Sequence, residues 1–239
     1  MDVWVLKPGQ GTNSNGLFVC STTAAACAHI SSPANASGDY VAQLLVPRPL
    51  TVLGGRKYDL RAFVFVRSFV PFEAYLHALL YARVSNKVYE PDKLSDDDVF
   101  LTVTSYKEGL APGVRLTVDK LAPLSDADSP DSSSFADVVL PRIRSALADL
   151  FEKVAPAVGA WPRSRAYYGC DLIVGHDGLP KLLEVNYMGD FSATKEAVKQ
   201  SQGGDLAMFY EWGEDLLTTL ATDVNLENHP RLSRLKGKY

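Results

Sequence analysis

Cys170-Asp171-Leu172-Ile173-Val174-Gly175-His176-Asp177-Gly178-Leu179-Pro180-Lys181-Leu182-Leu183-Glu184-Val185-Asn186 is two apolar runs around an Asp-Gly pair. Asp and Gly accept the backbone of a tight turn, so the pair between apolar runs is a strong hairpin signal. Strands are expected over Cys170 to Val174 and Lys181 to Val185. Side chains alternate along a strand, so Glu184 and Asn186 point to one face, with Asp171 on the neighbouring strand. A carboxylate and an amide oxygen beside a second carboxylate make a set of hard oxygen donors. Magnesium takes such donors and completes its shell with water and phosphate oxygens. Leu182-Leu183-Glu184-Val185 puts a charge inside an apolar run, where an unpaired carboxylate is costly. A buried, paired, purely structural Glu184 is the alternative.

Downstream of the hairpin a helix is expected from about Asp205, with Leu206, Phe209, Leu216, Leu217 and Leu220 inward. From Asn228 the chain carries Arg231, Arg234, Lys236 and Lys238 and reads as a mobile basic tail. Upstream, residues 125–134 have the Ser, Asp and Pro chemistry of a loop. From Phe135 the residues Val139, Leu140, Ile143, Leu147, Leu150, Phe151 and Val154 recur at helical steps, giving one apolar face. Leu60 to Val66 reads as a strand, and Ala74 to Val84 as one longer strand with Arg83 at its end. In Arg56-Lys57-Tyr58-Asp59-Leu60-Arg61, the charged Lys57, Asp59 and Arg61 share a face. Such a row is costly unless it meets a ligand or solvent.

The first sixty residues follow a strand pattern. Val3 to Leu6 reads as a buried strand, Lys7 to Gly16 as a loop of Gly, Asn and Ser, and Leu17-Phe18-Val19 as a return strand. Lysine at a strand end beside glycines suits phosphate binding, because glycine N–H groups can approach an anion closely. A surface hairpin is the plainer reading, and no Walker-type Gly-Lys-Ser/Thr follows. Residues 31–39 form a polar loop. Val41 to Val46 is a strand stopped by Pro47 and Pro49. Strands dominate and helices come late, so the class is α+β.

The totals narrow the partners. The 239 residues are 46% hydrophobic and 22% charged, enough for a large core. A net charge of -4 gives no basic field, which disfavours nucleic acid. Cys20, Cys27 and Cys170 form no CxxC pair, and His29, His77, His176 and His229 lack metal-ligand spacing. No apolar run reaches membrane-spanning length, and no secretory signal is visible. A cytoplasmic protein is expected, with a nuclear location as the alternative.

The order of these pieces carries a resemblance. A strand ending in Lys7-Pro8 with a glycine loop comes first, then Val41-Ala42-Gln43-Leu44-Leu45 with Pro49-Leu50. Arg56 to Arg61 and Leu183-Glu184-Val185-Asn186 follow. From about Val3 to Phe191 the chain resembles the tubulin–tyrosine ligase family of ATP-grasp enzymes. The stretch Arg61 to Gly109, with Arg67-Ser68-Phe69-Val70-Pro71 and Leu94-Ser95-Asp96-Asp97, is most similar to the divergent branch typified by tubulin–tyrosine-ligase-like protein twelve.

The resemblance implies an ATP-grasp-like fold with mixed and antiparallel sheets. Residues 1–225 would be the core and 226–239 the tail, and the family's N-terminal subdomain would be missing. It implies ATP and magnesium as cofactors. Lys7 would hold the α and β phosphates, and Gln43, Leu44 and Leu45 would meet the adenine. Lys57 and Asp59 would contact the nucleotide. Arg61 and Arg83 would be catalytic, facing the γ-phosphate and the substrate carboxylate. Asp171, Glu184 and Asn186 would hold the metal, and Lys7 and Lys57 are expected to converge with them on one cleft. The implied partners are a free amino acid and tubulin or another protein with an acidic tail.

Two departures stand out. Where the family has His-Leu-Thr-Asn, this chain has Phe100-Leu101-Thr102-Val103-Thr104-Ser105. The preceding His is Phe100, and neither Val103 nor Ser105 supplies the Asn. Three functions stay open: a protein-tail ligase, a pseudo-ligase that binds tubulin, chromatin or another partner, and a small-metabolite ligase.

Overall fold

A computed structural model describes residues 2–10, 16–35, 38–93, 95–103, 114–121, 135–159, 161, 165–188 and 206–236. The expected loop at 125–134 and the tip of the Lys7–Gly16 loop lie outside these residues. Strands β1 (Trp4–Pro8), β2 (Phe18–Cys20) and β3 (Tyr40–Leu44) make an antiparallel sheet in the order β2-β1-β3. Helix α1 (Thr23–Ile30) follows β2, its first turn capped by the Thr22 side chain accepting from the Ala25 N–H. Nothing in the sequence reading anticipated α1. It buries no residue, so the apolar periodicity that reveals most helices is missing.

The larger sheet is built on β5 (Arg56–Ser68). Its main path, among the described residues, is β10 (Pro180–Tyr187), β9 (Ala166–Val174), β5, β6 (Glu73–His77) and β11 (Leu232–Arg234). β4 (Thr51–Val52) pairs with β5, and β7 (Tyr81–Val88) pairs with both β5 and β8 (Val114–Thr117). β9 (Ala166–Val174) and β10 (Pro180–Tyr187) form the expected hairpin, with Gly178 at φ +69°. The region expected as one strand from Ala74 to Val84 is two, β6 (Glu73–His77) and β7. His77 Nδ1 accepts the Leu79 N–H at 2.9 Å and shapes the turn between them. Arg83 therefore lies inside β7, not at a strand end.

The apolar middle of β5 explains its central place. Phe63 and Phe65 face Trp212 of α4 (Leu206–Ala221), with ring centroids 5.1 and 6.0 Å away. On β9, Tyr168 meets Phe151 of α3 (Phe135–Val158) at 5.2 Å. Val139, Ile143, Leu147 and Phe151 are the buried stripe of α3, as its periodicity predicts, whereas Val154 is exposed. In α4 the inward positions are Trp212, Asp215 and Thr219, with Leu216 and Leu220 partly buried. Leu217 points outward, and the side chains of Leu206 and Phe209 lie outside the described residues.

Residues placed in the tail by the sequence instead complete the sheet. β11 (Leu232–Arg234) pairs antiparallel with β6, and Leu235 donates its N–H to Ala74 at 2.8 Å. Arg231 grips buried Asp215 through two bonds of 2.6 and 2.8 Å. The fold is α+β with antiparallel sheets, in keeping with the ATP-grasp-like expectation.

The chain divides into two compact units. One holds Met1–Tyr58 and Val84–Gly113, the other Asp59–Arg83 and Val114–Tyr239. The division falls inside β5 and inside β7. No helix among the described residues is long and apolar enough to cross a membrane.

Candidate active site

The second unit gathers the catalytic and metal assignments on one face of its sheet. Cross-strand pairing sets Arg61 on β5 opposite Asp171 on β9, and Asp171 opposite Glu184 on β10. One register step away, Phe63, Gly169 and Asn186 line up in the same order. An irregularity in the pairing between Leu182 and Glu184 brings Glu184 into line with Asp171. The hairpin thus delivers what the alternation of Glu184 and Asn186 predicts.

The charged row of β5 is buried, not solvated. Asp59, Arg61, Arg83 and Asp171 are 5%, 8%, 9% and 2% exposed. They form one network. Arg61 donates its Nε to Asp171 Oδ1 and its Nη2 to Oδ2, the latter at 2.9 Å. Arg83 donates Nε to Asp59 at 2.6 Å and lies 2.9 Å from Asp171 Oδ2 through Nη2. Two cations and two anions balance, which is what lets four charges share a low-dielectric site.

Burial alone would raise the Asp171 carboxyl. The neighbouring Arg83 and Arg61, with a hydrogen bond involving Glu184, outweigh it and hold Asp171 below the usual carboxylate range. Arg83 stays firmly charged, because Asp59 and Asp171 overcome its desolvation. Cys170, next in sequence, is pushed up to about 12 by burial and is therefore an inert thiol.

Glu184 itself is exposed, on β10, which is the edge strand of the sheet among the described residues. This corrects the expectation of a charge enclosed by apolar neighbours. Leu182 and Val185 are also exposed, 37% each. Asn186 donates its amide to Glu184 Oε1 at 3.0 Å. Gly169 is a position beside Arg61 that the sequence pattern did not single out. A Cβ there would sit 3.1 Å from Arg61 Nη1 and 3.2 Å from its Cδ, so the absent side chain makes room for the guanidinium.

The first unit holds the remaining assignments. Lys7 pairs with Val41 and Gln43 with Val5 on β1 and β3, so Lys7 and Gln43 are diagonal neighbours on one face. Leu44 is exposed, and Leu45 donates its N–H to Val3 at 2.8 Å. Lys57, 9% exposed, donates Nζ to the Phe100 carbonyl at 2.5 Å. Phe100 ends the short helix α2 (Asp97–Phe100), and its ring meets Tyr89 edge-on at 5.8 Å. At the position where the resemblance implies a His, this chain has a buried aromatic contact. Ser105 lies outside the described residues.

No cluster of three or more His, Cys, Asp or Glu able to hold a metal ion occurs among the described residues. Asp171, Glu184 and Asn186 nonetheless fit magnesium by donor chemistry, provided water and phosphate oxygens complete the shell.

The comparisons agree with this architecture. A model of the tubulin-tyrosine ligase family matches residues 1–203. "Probable tubulin polyglutamylase ttll-9" of Caenorhabditis elegans is 26% identical over 205 residues, 81% of this chain and 48% of the relative. "Probable tubulin polyglutamylase TTLL9" of Mus musculus is 30% identical over 166 residues, 66% of this chain and 35% of the relative. "Tubulin monoglycylase TTLL3" of Mus musculus is 23% identical over 198 residues, 77% of this chain and 21% of the relative. This chain spans about half or less of these curated relatives. With the family model covering most of its length, the chain belongs to the tubulin-tyrosine ligase family.

Proposed function

We propose that this chain is the catalytic part of an ATP-dependent carboxylate–amine ligase that adds an amino acid to an acidic protein tail, of the tubulin type. Family membership and the polyglutamylase and glycylase names of its relatives support the reaction class. The observation that carries the reading is the buried Asp59–Arg83–Asp171–Arg61 network beside Glu184 and Asn186. Such a set of fixed cations and oxygen donors suits a transferring phosphoryl group.

The chemistry runs in two steps. An acceptor carboxylate oxygen attacks the γ-phosphorus, the bond to ADP breaks, and an acyl phosphate forms. The amine of the incoming amino acid then attacks the acyl carbon, loses a proton, and phosphate leaves as the amide forms. Arg61 and Arg83 are assigned to the negative charge that builds on the phosphoryl oxygens and the tetrahedral carbon. Asp59 acts through Arg83, holding its guanidinium in place. Lys7 and Lys57 are assigned to the nucleotide phosphates, and Gln43, Leu44 and Leu45 to the adenine. Magnesium held by Glu184, Asn186 and Asp171 would supply further positive charge at the phosphates.

A second reading, a pseudo-ligase that binds a partner without turnover, draws on Phe100 standing where the resemblance implies His, and Val103 or Ser105 where it implies Asn. Calorimetry of a non-hydrolysable ATP analogue with and without magnesium tests the nucleotide site that the ligase reading requires. Mass spectrometry of a tubulin-tail peptide incubated with ATP and glutamate, glycine or tyrosine tests transfer. Magnesium-dependent binding with an added residue supports the ligase. Binding without transfer, in this chain and in a longer natural form, favours the pseudo-ligase. Absence of nucleotide binding sinks the ligase reading. Transfer to a small amine or carboxylate but never to a peptide would move the acceptor to a metabolite.

A further inference from the structure

We infer that Arg61 and Arg83 latch Asp171, so that this site takes up a divalent cation only together with a polyphosphate anion. The inference rests on the ligase reading above and adds a rule of binding to it. Both carboxylate oxygens of Asp171 are already engaged. Arg61 Nε holds Oδ1, while Arg61 Nη2 and Arg83 Nη2 both hold Oδ2 at 2.9 Å. With Asp59 taking Arg83 Nε, the buried quartet has no net charge.

A lone dication arriving at Asp171 has two poor outcomes. If the guanidiniums stay, it sits against two cations around one carboxylate. If they leave, two buried arginines lose a counter-ion in a site that is less than a tenth exposed. A polyphosphate resolves both. Its oxygens match the planar fork of a guanidinium, so Arg61 and Arg83 can exchange Asp171 for phosphate and release the carboxylate. Glu184 and Asn186 lie on β10, where Glu184 is exposed and shares a hydrogen bond with Asp171 and accepts another from Asn186, apart from the arginine contacts described above. They offer one carboxylate and one amide oxygen, which is too few donors to hold a hard dication tightly alone.

Coupling between two ligands is reciprocal: the anion raises cation affinity by the factor by which the cation raises anion affinity. A metal–phosphate contact within the ligand also couples them, so the deciding quantity is cation uptake without any anion. Mn2+ serves as the probe, because its paramagnetic resonance signal falls on binding. Wild-type chain is expected to leave low-millimolar Mn2+ free. Arg83→Met, which removes one of the two arginine contacts on Asp171 Oδ2 and one of the two cations beside that carboxylate, is expected to take up Mn2+ alone at least about tenfold more tightly than wild type. Arg61→Lys keeps the charge, loses the fork, and should fall between them. If circular dichroism shows that Arg83→Met is unfolded, Arg61→Lys decides. Equal cation-only affinity in wild type and the folded variants overturns the latch, as does wild-type uptake of Mn2+ that an ATP analogue does not improve. Tight joint uptake with unchanged cation-only affinity across variants removes the latch and leaves the ligase reading standing. Failure to bind even the joint pair removes both.

Discussion

Asp171 and Glu184 are neighbours across a strand pair, yet their substitution should have opposite consequences. Asp171 is the shared anion of two buried arginines. Asp171→Asn strands those cations, and urea denaturation should show a loss of about 3–5 kcal/mol. Glu184 is exposed, so Glu184→Gln should change stability by no more than about 0.5 kcal/mol while weakening magnesium-dependent nucleotide binding in calorimetry. A large stability loss in Glu184→Gln would make that residue structural. His77 gives a separate test by pH. Burial lowers it from the ordinary imidazole value to about 4, against the pull of Asp215. Its Nδ1 accepts the Leu79 N–H, which leaves Nε2 to donate to Asp215 at 2.9 Å as a neutral ring. The unfolded chain binds the proton more readily, so this contribution is complete above about pH 6.5. It is lost as pH falls towards 4, at up to about 1.4 kcal/mol per pH unit. Denaturation midpoints of wild type and His77→Gln across that window should converge at the acid end. Both predictions depend on what surrounds the side chain, which the sequence does not state. Leu182-Leu183-Glu184-Val185 reads as enclosed because an apolar run looks the same on a central strand and on an edge.

At the scale of elements, the hairpin that carries Glu184 hangs on its turn. Gly178 has φ +69°, and a Cβ there would lie 2.6 Å from Arg142 Nη1. Arg142, on α3, donates that same nitrogen to the Asp177 carbonyl at 2.8 Å. Gly178→Ala should therefore cost about 1–2 kcal/mol in backbone strain and displace the Arg142 tether, readable as a lower urea midpoint. An unchanged midpoint would mean that the turn relaxes freely. This hairpin is legible in sequence because its turn is local chemistry, an Asp-Gly between apolar runs. The turn between β6 and β7 is not legible, since Ala78-Leu79-Leu80 has no Gly, Pro or Asn. It is held by a histidine ring and a helix carboxylate, Asp215, far along the chain. Helix α1 escapes for the reverse reason, being a helix that buries nothing. The candidate site is legible as residue types, in the Lys57, Asp59, Arg61 row and the Glu184, Asn186 pair. The burial of that row and the arginine grip on Asp171 come from pairing among β5, β7 and β9, which no local pattern records.

At the scale of the whole molecule, the last described segment is part of the core. Leu226, Leu232 and Leu235 are each 5% exposed or less. Ending the chain after Val224 removes all three, each worth about 1.5–3 kcal/mol on burial, together with the Arg231–Asp215 pair. That loss is comparable to the total stability of a typical domain, about 5–15 kcal/mol. The shortened chain is expected to lose its cooperative thermal transition, whereas a mobile tail could be cut without effect. The interleaving of the two units adds a matter of timing. β6 is made early, but its partner β11 is separated from it by residues 78–231. At ribosomal speeds of roughly 5–20 residues per second, β6 waits on the order of ten seconds with one edge bare. Nor can the first unit close until the chain has passed through Asp59–Arg83 and returned for Val84–Gly113. Nascent chains stalled within that interval should be bound by chaperones, and slowing translation should lower the soluble yield.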